Sequence, residues 1–403
     1  MIVLTLFWGG CTNEALKNDG IAGGPKYDTA DLPSSTKSAM TNSVNDFSFE
    51  LLREVCGDSD GDESLFLSPL SLSVDLSMLA VGASGETQSQ ILDVLGFSGQ
   101  TVEEMNSYYR FLMEGLRSPD KVALDVANSI WVDREFPMYS SYINNLADNF
   151  EAQSFHVNMS SANTVEKIND WCSEKTSGRI EKVVDDVIGA QTILINALHF
   201  KAAWENVFLE KTVESKFVTS SGVTNMVDMM SLPKQRLDYV ESDDMQMVEL
   251  PYENADFVLD IILPKGNVKS LLSSLDSEKW NANVSALKPE YLNVYIPKFS
   301  TKFSCSMEQS LINMGITHMF DTSADFSGIS PKNIVVSRVL HQTWLDVSQK
   351  GTEAAAVTVI MVDGSADPGV GHEYKDFSAD HAFLFVIRQR STGAILFAGI
   401  KDK

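Results

Sequence analysis

Gly351-Thr352-Glu353-Ala354-Ala355-Ala356-Val357-Thr358 is the stretch whose reading decides this chain. Trp344-Leu345-Asp346-Val347 precedes it, and Val359-Ile360-Met361-Val362-Asp363-Gly364-Ser365-Ala366-Asp367-Pro368-Gly369 follows. A surface loop has no need of three successive alanines and a β-branched tail, because loops favour polar turn formers. At period two, Thr352, Ala354, Ala356, Thr358, Ile360 and Val362 share one face that is small or apolar throughout. Such a face suits a buried strand. Yet Gly364, Asp367, Pro368 and Gly369 just beyond it read as an exposed turn. A segment fit for both states suggests a conformational switch, although the pattern alone also admits an Ala-rich helical turn or a strand followed by a long loop.

Composition narrows the function classes. The 403 residues are 44% hydrophobic, enough for one large or two ordinary domains, and no internal repeat or second domain is visible. A net charge of −24 excludes nucleic-acid binding, because phosphates would be repelled. The acidity is spread along the chain and serves solubility. Cys11, Cys56, Cys172 and Cys305 are too few and too scattered for a disulfide framework or a zinc site. Gly82-Ala83-Ser84-Gly85 lacks nucleophile-elbow spacing, the six histidines are dispersed, and no Gly-rich phosphate loop follows a strand. No enzyme activity, cofactor or metal is therefore expected. No apolar run is long enough to span a bilayer.

Residues 1–10 are short and apolar, with Gly9-Gly10 before Cys11. This resembles a bacterial lipoprotein signal, which implies lipidation of Cys11 and a place outside the cell, anchored to an outer membrane. The pattern departs in lacking Lys or Arg before the apolar run and in carrying Trp8. Residues 11–41 mix Gly, Pro, Ser, Thr and charge without periodicity and read as a flexible tether. The folded domain is expected over 42–403, with Asn45-Asp46 capping a helix that carries Phe47, Leu51, Leu52 and Val55.

Leu65-Phe66-Leu67-Ser68-Pro69-Leu70-Ser71-Leu72 reads as a buried strand turning at Pro69 into a helix through Leu79, Ala80 and Ala83. A strand is expected from Val122 to Asp133, a helix and exit turn around Ile168 to Ile180, and an apolar strand from Thr192 to Trp204. Phe-Leu-Ser-Pro-Leu-Ser (66–71), Gly-Ala-Ser-Gly-Glu-Thr (82–87) and Val-Leu-Gly-Phe (94–97) are similar to early serpin motifs in order and spacing. Val248-Glu249-Leu250-Pro251-Tyr252, Val294-Tyr295-Ile296-Pro297-Lys298-Phe299 and Phe377-Ser378-Ala379-Asp380-His381-Ala382-Phe383 continue the series. Gly351 to Ala356 resembles the hinge of a serpin reactive loop. The resemblance covers roughly residues 42 to 401.

That resemblance implies an α+β serpin fold: a large central sheet, two smaller sheets, about eight or nine helices and a reactive loop over about 349–376. It implies a monomeric, covalent, suicide-type inhibitor of serine proteases, and by extension cysteine proteases, whose cleaved loop inserts into the sheet. The hinge, Gly351 through Thr358, carries no bulky or charged residue at its inward positions. The hinge length places the scissile bond at Ser365-Ala366. Met361-Val362 and a point nearer Gly371 are alternatives. Small residues at the bond imply elastase- or subtilisin-like targets. Ser68, Ser71, Asn196 and His341 match the family's sheet-opening cluster and are expected to hydrogen-bond one another. Trp204 matches the tryptophan at the top of the sheet. Gln349 stands where Glu is usual, and Ala382 where Pro is common. The alternative is a non-inhibitory relative, either a surface carrier or a mere protease substrate.

Overall fold

The structure, a computed structural model, describes residues 20–58, 62–116, 122–352 and 373–403. Among these, the helices are α1 (Ser34–Asp58), α2 (Pro69–Gly82), α3 (Gly85–Val94), α4 (Val102–Leu116), α5 (Ser140–Phe150), α6 (Ala162–Lys175), α7 (Val268–Ser273), α8 (Ser277–Ala286) and α9 (Glu308–Met314). The first eight strands are β1 (Leu65–Leu67), β2 (Val122–Asp133), β3 (Ala152–Val157), β4 (Thr192–Ala203), β5 (Val213–Val218), β6 (Thr224–Glu241), β7 (Met245–Pro251) and β8 (Phe257–Pro264). The rest are β9 (Lys288–Pro297), β10 (Phe299–Ser306), β11 (Arg338–Ser348), β12 (Gly351–Thr352), β13 (Lys375–Ser378), β14 (Phe383–Gln389) and β15 (Ile395–Lys401).

The strands form two sheets. One has six strands in the order β10-β11-β12-β4-β2-β3. The other runs β1-β15-β14-β8-β7-β6-β9-β13, with β5 on β6. The two smaller sheets expected from the family share the long strand β6, so they join in one hydrogen-bonded path. A register shift between Leu232 and Gln235 lets β6 bend, and Lys234 there has φ 55°.

Local chemistry explains the central elements. Ser68 caps α2 by accepting from the Ser71 N–H, and Pro69 occupies the first helical turn, where its missing N–H costs nothing. Every residue of α2 is buried, as suits a helix that is apolar on most sides. β8, β14 and β15 are buried at every position and form the floor of the main core. β11 alternates buried and half-buried residues, with Val339, His341, Thr343, Leu345 and Val347 inward. A second core lies under α6, where Trp131 stacks on Phe155 at 4.0 Å and meets Trp171 edge-on.

Three expectations about the N-terminal part are corrected. α1 begins at Ser34, ahead of both the expected domain boundary at Asn42 and the expected cap at Asn45-Asp46, because Leu32 and Met40 are already buried before that boundary. Nor are residues 20–33 a free tether: Ile21 pairs with Tyr139, and the Tyr27 hydroxyl donates to the Gly328 carbonyl at 3.0 Å. Asn45-Asp46 caps nothing in its own helix. Asn45 donates to the Gly393 carbonyl and accepts from the Ile395 N–H, while Asp46 accepts from the N–H and hydroxyl of Ser277 at the start of α8. Long-range partners claimed both side chains.

Candidate functional site

The site is the seam between β4 and β11. At its lower end the two strands pair directly and in parallel, from Arg338 opposite Ile193 to Gln342 opposite Ala197. At its upper end β12 lies between them, antiparallel to both: Thr352 faces Val347 on one side and Ala202 on the other. Between these zones, residues 343–346 of β11 and 198–201 of β4 make no ladder pairing with each other among the described residues. Each strand keeps its outer neighbour, β10 for β11 and β2 for β4. Among the described residues, the seam is therefore zipped below, wedged above and without ladder pairing in the middle.

The wedge is tightly built. Gly351 has φ 151°, and a Cβ there would lie 2.1 Å from the Ala202 carbonyl oxygen and 2.7 Å from the Ala203 Cα. Only glycine meets both demands. Thr352 is fully buried, and its hydroxyl lies 2.6 Å from the Tyr252 hydroxyl. Tyr252 stacks on Trp204 with ring centroids 4.5 Å apart and planes at 10°. The Trp204 indole N–H donates to the Ser348 carbonyl at 2.8 Å, and its backbone N–H to the Lys350 carbonyl at 3.1 Å. Gln349, lacking the charge usual at this place, donates its side-chain amide to the Glu210 carbonyl at 3.2 Å.

Beneath the unpaired zone lie the polar residues expected to open the sheet. Nε2 of His341 accepts from the Ser68 N–H at 3.0 Å, and the Ser68 and Ser71 hydroxyls lie 2.7 Å apart. Burial pushes the His341 imidazole down to about 4, so it is neutral and free to accept. Asn196 departs from expectation. It is the ladder partner of His341, yet its amide donates to the Asn128 side chain on β2, which in turn donates to the Phe150 carbonyl at 2.9 Å. The cluster is thus two separate groups, His341 with Ser68 and Ser71, and Asn196 with Asn128, rather than one mutual knot. Of the expected hinge, Gly351 and Thr352 are placed. Glu353, Ala354, Ala355, Ala356, Val357 and Thr358, the bond Ser365-Ala366 and Cys11 lie outside the described residues.

A family model described as Serpin (serine protease inhibitor) matches residues 42–401. The chain is a serpin. Iripin-2 of Ixodes ricinus is 33% identical over 379 residues, covering 91% of this chain and 94% of that protein. An uncharacterized serpin-like protein of Thermococcus kodakarensis is 30% identical, covering 98% and 96%. Among solved structures, human thyroxine-binding globulin complexed with thyroxine matches with a TM-score of 0.83 at 26% identity, covering 91% of this chain and 99% of that one. The thermophilic serpin tengpin in its native state matches with a TM-score of 0.84 at 28% identity, covering 95% and 97%.

Sequence reasoning missed three parts of this serpin. In the sequence Tyr252 is only a motif member, whereas in the structure it joins Trp204 to the hinge. Asn128 gave no signal beyond a polar residue in an apolar strand, which was itself a hint that a partner must exist. A buried ionic network also escaped. Arg388 on β14 donates Nε to Asp260 on β8 at 2.6 Å and pairs with Glu249 on β7, which also takes Arg390. Burial, opposed by Arg388, raises the Asp260 carboxyl to about 6. The network ties three core strands together rather than serving the seam. Among the described residues, no group of His, Cys, Asp and Glu could hold a metal, and no helix is long and apolar enough to cross a membrane.

Proposed function

We propose that this serpin is a suicide-type inhibitor of serine endopeptidases with a shallow specificity pocket, elastase- or subtilisin-like. The reading rests chiefly on Gly351-Thr352 already standing between β4 and β11, antiparallel to both. Cleavage at Ser365-Ala366 would release the loop as an acyl-enzyme. The loop then continues downward in the register that Thr352 sets. One step per residue brings Ala354 opposite Leu345, Thr358 opposite His341 and Met361 opposite Arg338, where β11 begins. All the inward residues on that path are small or aliphatic, which supports insertion without a clash.

About nine newly inserted residues, each gaining roughly one net ladder bond at 0.5–1.5 kcal/mol, release on the order of 10 kcal/mol. Burial of Ala354, Ala356 and Ile360 adds to this. Such a sum matches the roughly 5–15 kcal/mol that holds an ordinary protease domain folded, enough to distort its active site. The loop-exposed form is then kept by a barrier and not by equilibrium. The test is to cut the loop and compare thermal unfolding: the cut protein should melt well above the intact one. Equal melting would remove the inhibitor reading and favour a carrier or plain substrate. The N-terminal pattern adds a further proposal, that lipid on Cys11 holds the inhibitor at the outer surface of a bacterial cell. Cys11→Ala should then move the protein from the detergent phase to the aqueous phase.

A further inference from the structure

We propose that a second copy of this chain docks edge to edge on β5, joining two nine-stranded sheets about a two-fold axis through Ser215. β5 is an end strand. It pairs with β6 alone, in a register that sets Glu214 opposite Asp228, Lys216 opposite Met226 and Val218 opposite Thr224. Its last residue shows which way the backbone groups point. The Val218 N–H donates to the Asp380 carbonyl at 2.9 Å, and its carbonyl accepts from the Ala382 N–H at 2.9 Å, both away from β6. The next N–H, of Thr219, turns the other way and donates to the Val223 carbonyl at 2.8 Å. Bonding direction alternates along an antiparallel strand, so Glu214 and Lys216 also turn their N–H and C=O groups outward. Asp380 to Ala382 close the edge at Val218, which leaves 213–217 as the open length.

That length is complementary to itself. A two-fold interface sets the same patch against its own copy, and the axis through Ser215 brings Glu214 of each chain opposite Lys216 of the other. Such a pair exchanges both backbone hydrogen bonds, and its side chains share one face, where opposite charges attract across strands. A lysine on a free edge ordinarily repels a second strand; here the glutamate two residues before it meets it. Glu214, Lys216 and Asp228 have no ion-pair partner among the described residues. Within one chain Glu214 faces Asp228, a like-charge pair that Lys216 of the second copy relieves. The surroundings agree. Of eight exposed large hydrophobic residues among those described, five lie on this hairpin or just ahead of it: Leu209, Val213, Val218, Val223 and Met226. Apolar surface gathered in one place marks an association site. Val213, 61% exposed, comes opposite Phe217 of the second copy and is covered there. The edge is short, so the dimer belongs to concentrated protein and dilute protein runs as a monomer.

The experiment is sedimentation equilibrium of the uncut full chain carrying Cys11→Ala, which keeps lipid out, in reducing buffer over a wide range of concentration. The average mass should climb toward that of two chains. Lys216→Glu and Glu214→Lys, each made alone in that chain, place like charges across both pairs and should weaken association by about tenfold or more. Mixed in equal amounts, the two variants should associate as tightly as the parent, because each supplies the charge the other lacks. The double reversal, Glu214→Lys with Lys216→Glu, should recover association as well. Misfolded chains would not regain affinity on mixing, so recovery separates recognition from damage. A parent chain that stays monomeric at every concentration overturns the proposal and leaves the edge to a strand of another protein. Association that ignores both single reversals, or a mixture that fails to recover it, overturns the proposal too. If that indifferent association also vanishes with Thr352→Arg, it runs through the hinge and the six-stranded sheet instead of β5.

Discussion

Thr352→Arg tests the seam most directly. Thr352 is fully buried between Val347 and Ala202, with its hydroxyl 2.6 Å from that of Tyr252. An arginine at this place would bring a guanidinium into a site built for a methyl and a hydroxyl. Uncompensated burial of a charge costs several kcal/mol, so the residue stays outside and the first step of insertion is blocked. Even about 3 kcal/mol added to the insertion barrier slows it roughly a hundredfold. Insertion competes with hydrolysis of the acyl-enzyme, so such slowing diverts nearly every cleaved molecule to product. The assay mixes inhibitor and an elastase- or subtilisin-type enzyme at graded ratios, with denaturing gels to count covalent complex and cleaved chain. Wild type should give complex near equimolar ratio; Thr352→Arg should give cleaved chain and an active enzyme. Undiminished complex with the variant would refute the reasoning, because the loop would then be trapping without passing through this seam.

Other consequences follow from the polar groups under the seam. Asn196→Ala leaves the Asn128 side chain without its donor in a buried place, at a cost of about 1–3 kcal/mol, so the melting temperature should fall and uncut protein should convert sooner to inserted or polymeric forms on gel filtration. An unchanged melting curve and a lasting monomer peak would count against it. His341 predicts acid sensitivity with a definite sign. Its proton is held less tightly when folded (about 4) than in the open chain (6.5), so its contribution is present above pH 6.5 and is lost as pH falls toward 4. The loss is about 3 kcal/mol at full protonation, when Nε2 can no longer accept from Ser68. Urea midpoints of wild type and His341→Gln across this window should diverge from each other in steepness, the variant being flatter; parallel curves would place the acid sensitivity elsewhere.

Local chemistry carried the reading wherever a short stretch met its own needs. Ser68-Pro69 starts α2 because a hydroxyl cap and a proline satisfy the first turn without outside help. The period-two face from Thr352 onward predicts an inward side; Thr352, its one described member, is buried, and the rest of that face lies outside the described residues. Local rules failed at Asn45-Asp46, which have the composition of a cap but bond to residues hundreds of positions away. They failed again at residues 20–41, whose polar composition concealed the buried Leu32 and Met40 and a set of backbone hydrogen bonds to α5.

By itself, then, the amino-acid order determined most of the central strands and helices, which face of the hinge is small, and to which family the motifs belong. These are questions of periodicity and of neighbours within a few residues. Tertiary structure alone decided that Thr352 stands between β4 and β11, that Asn196 takes Asn128 and not His341, and that the N-terminal run bonds to the start of α5 and to Gly328. The physical reason is that a strand satisfies its backbone through other strands. Which strand it meets, and where the ladder is left unfinished, is settled by packing among residues far apart in the chain.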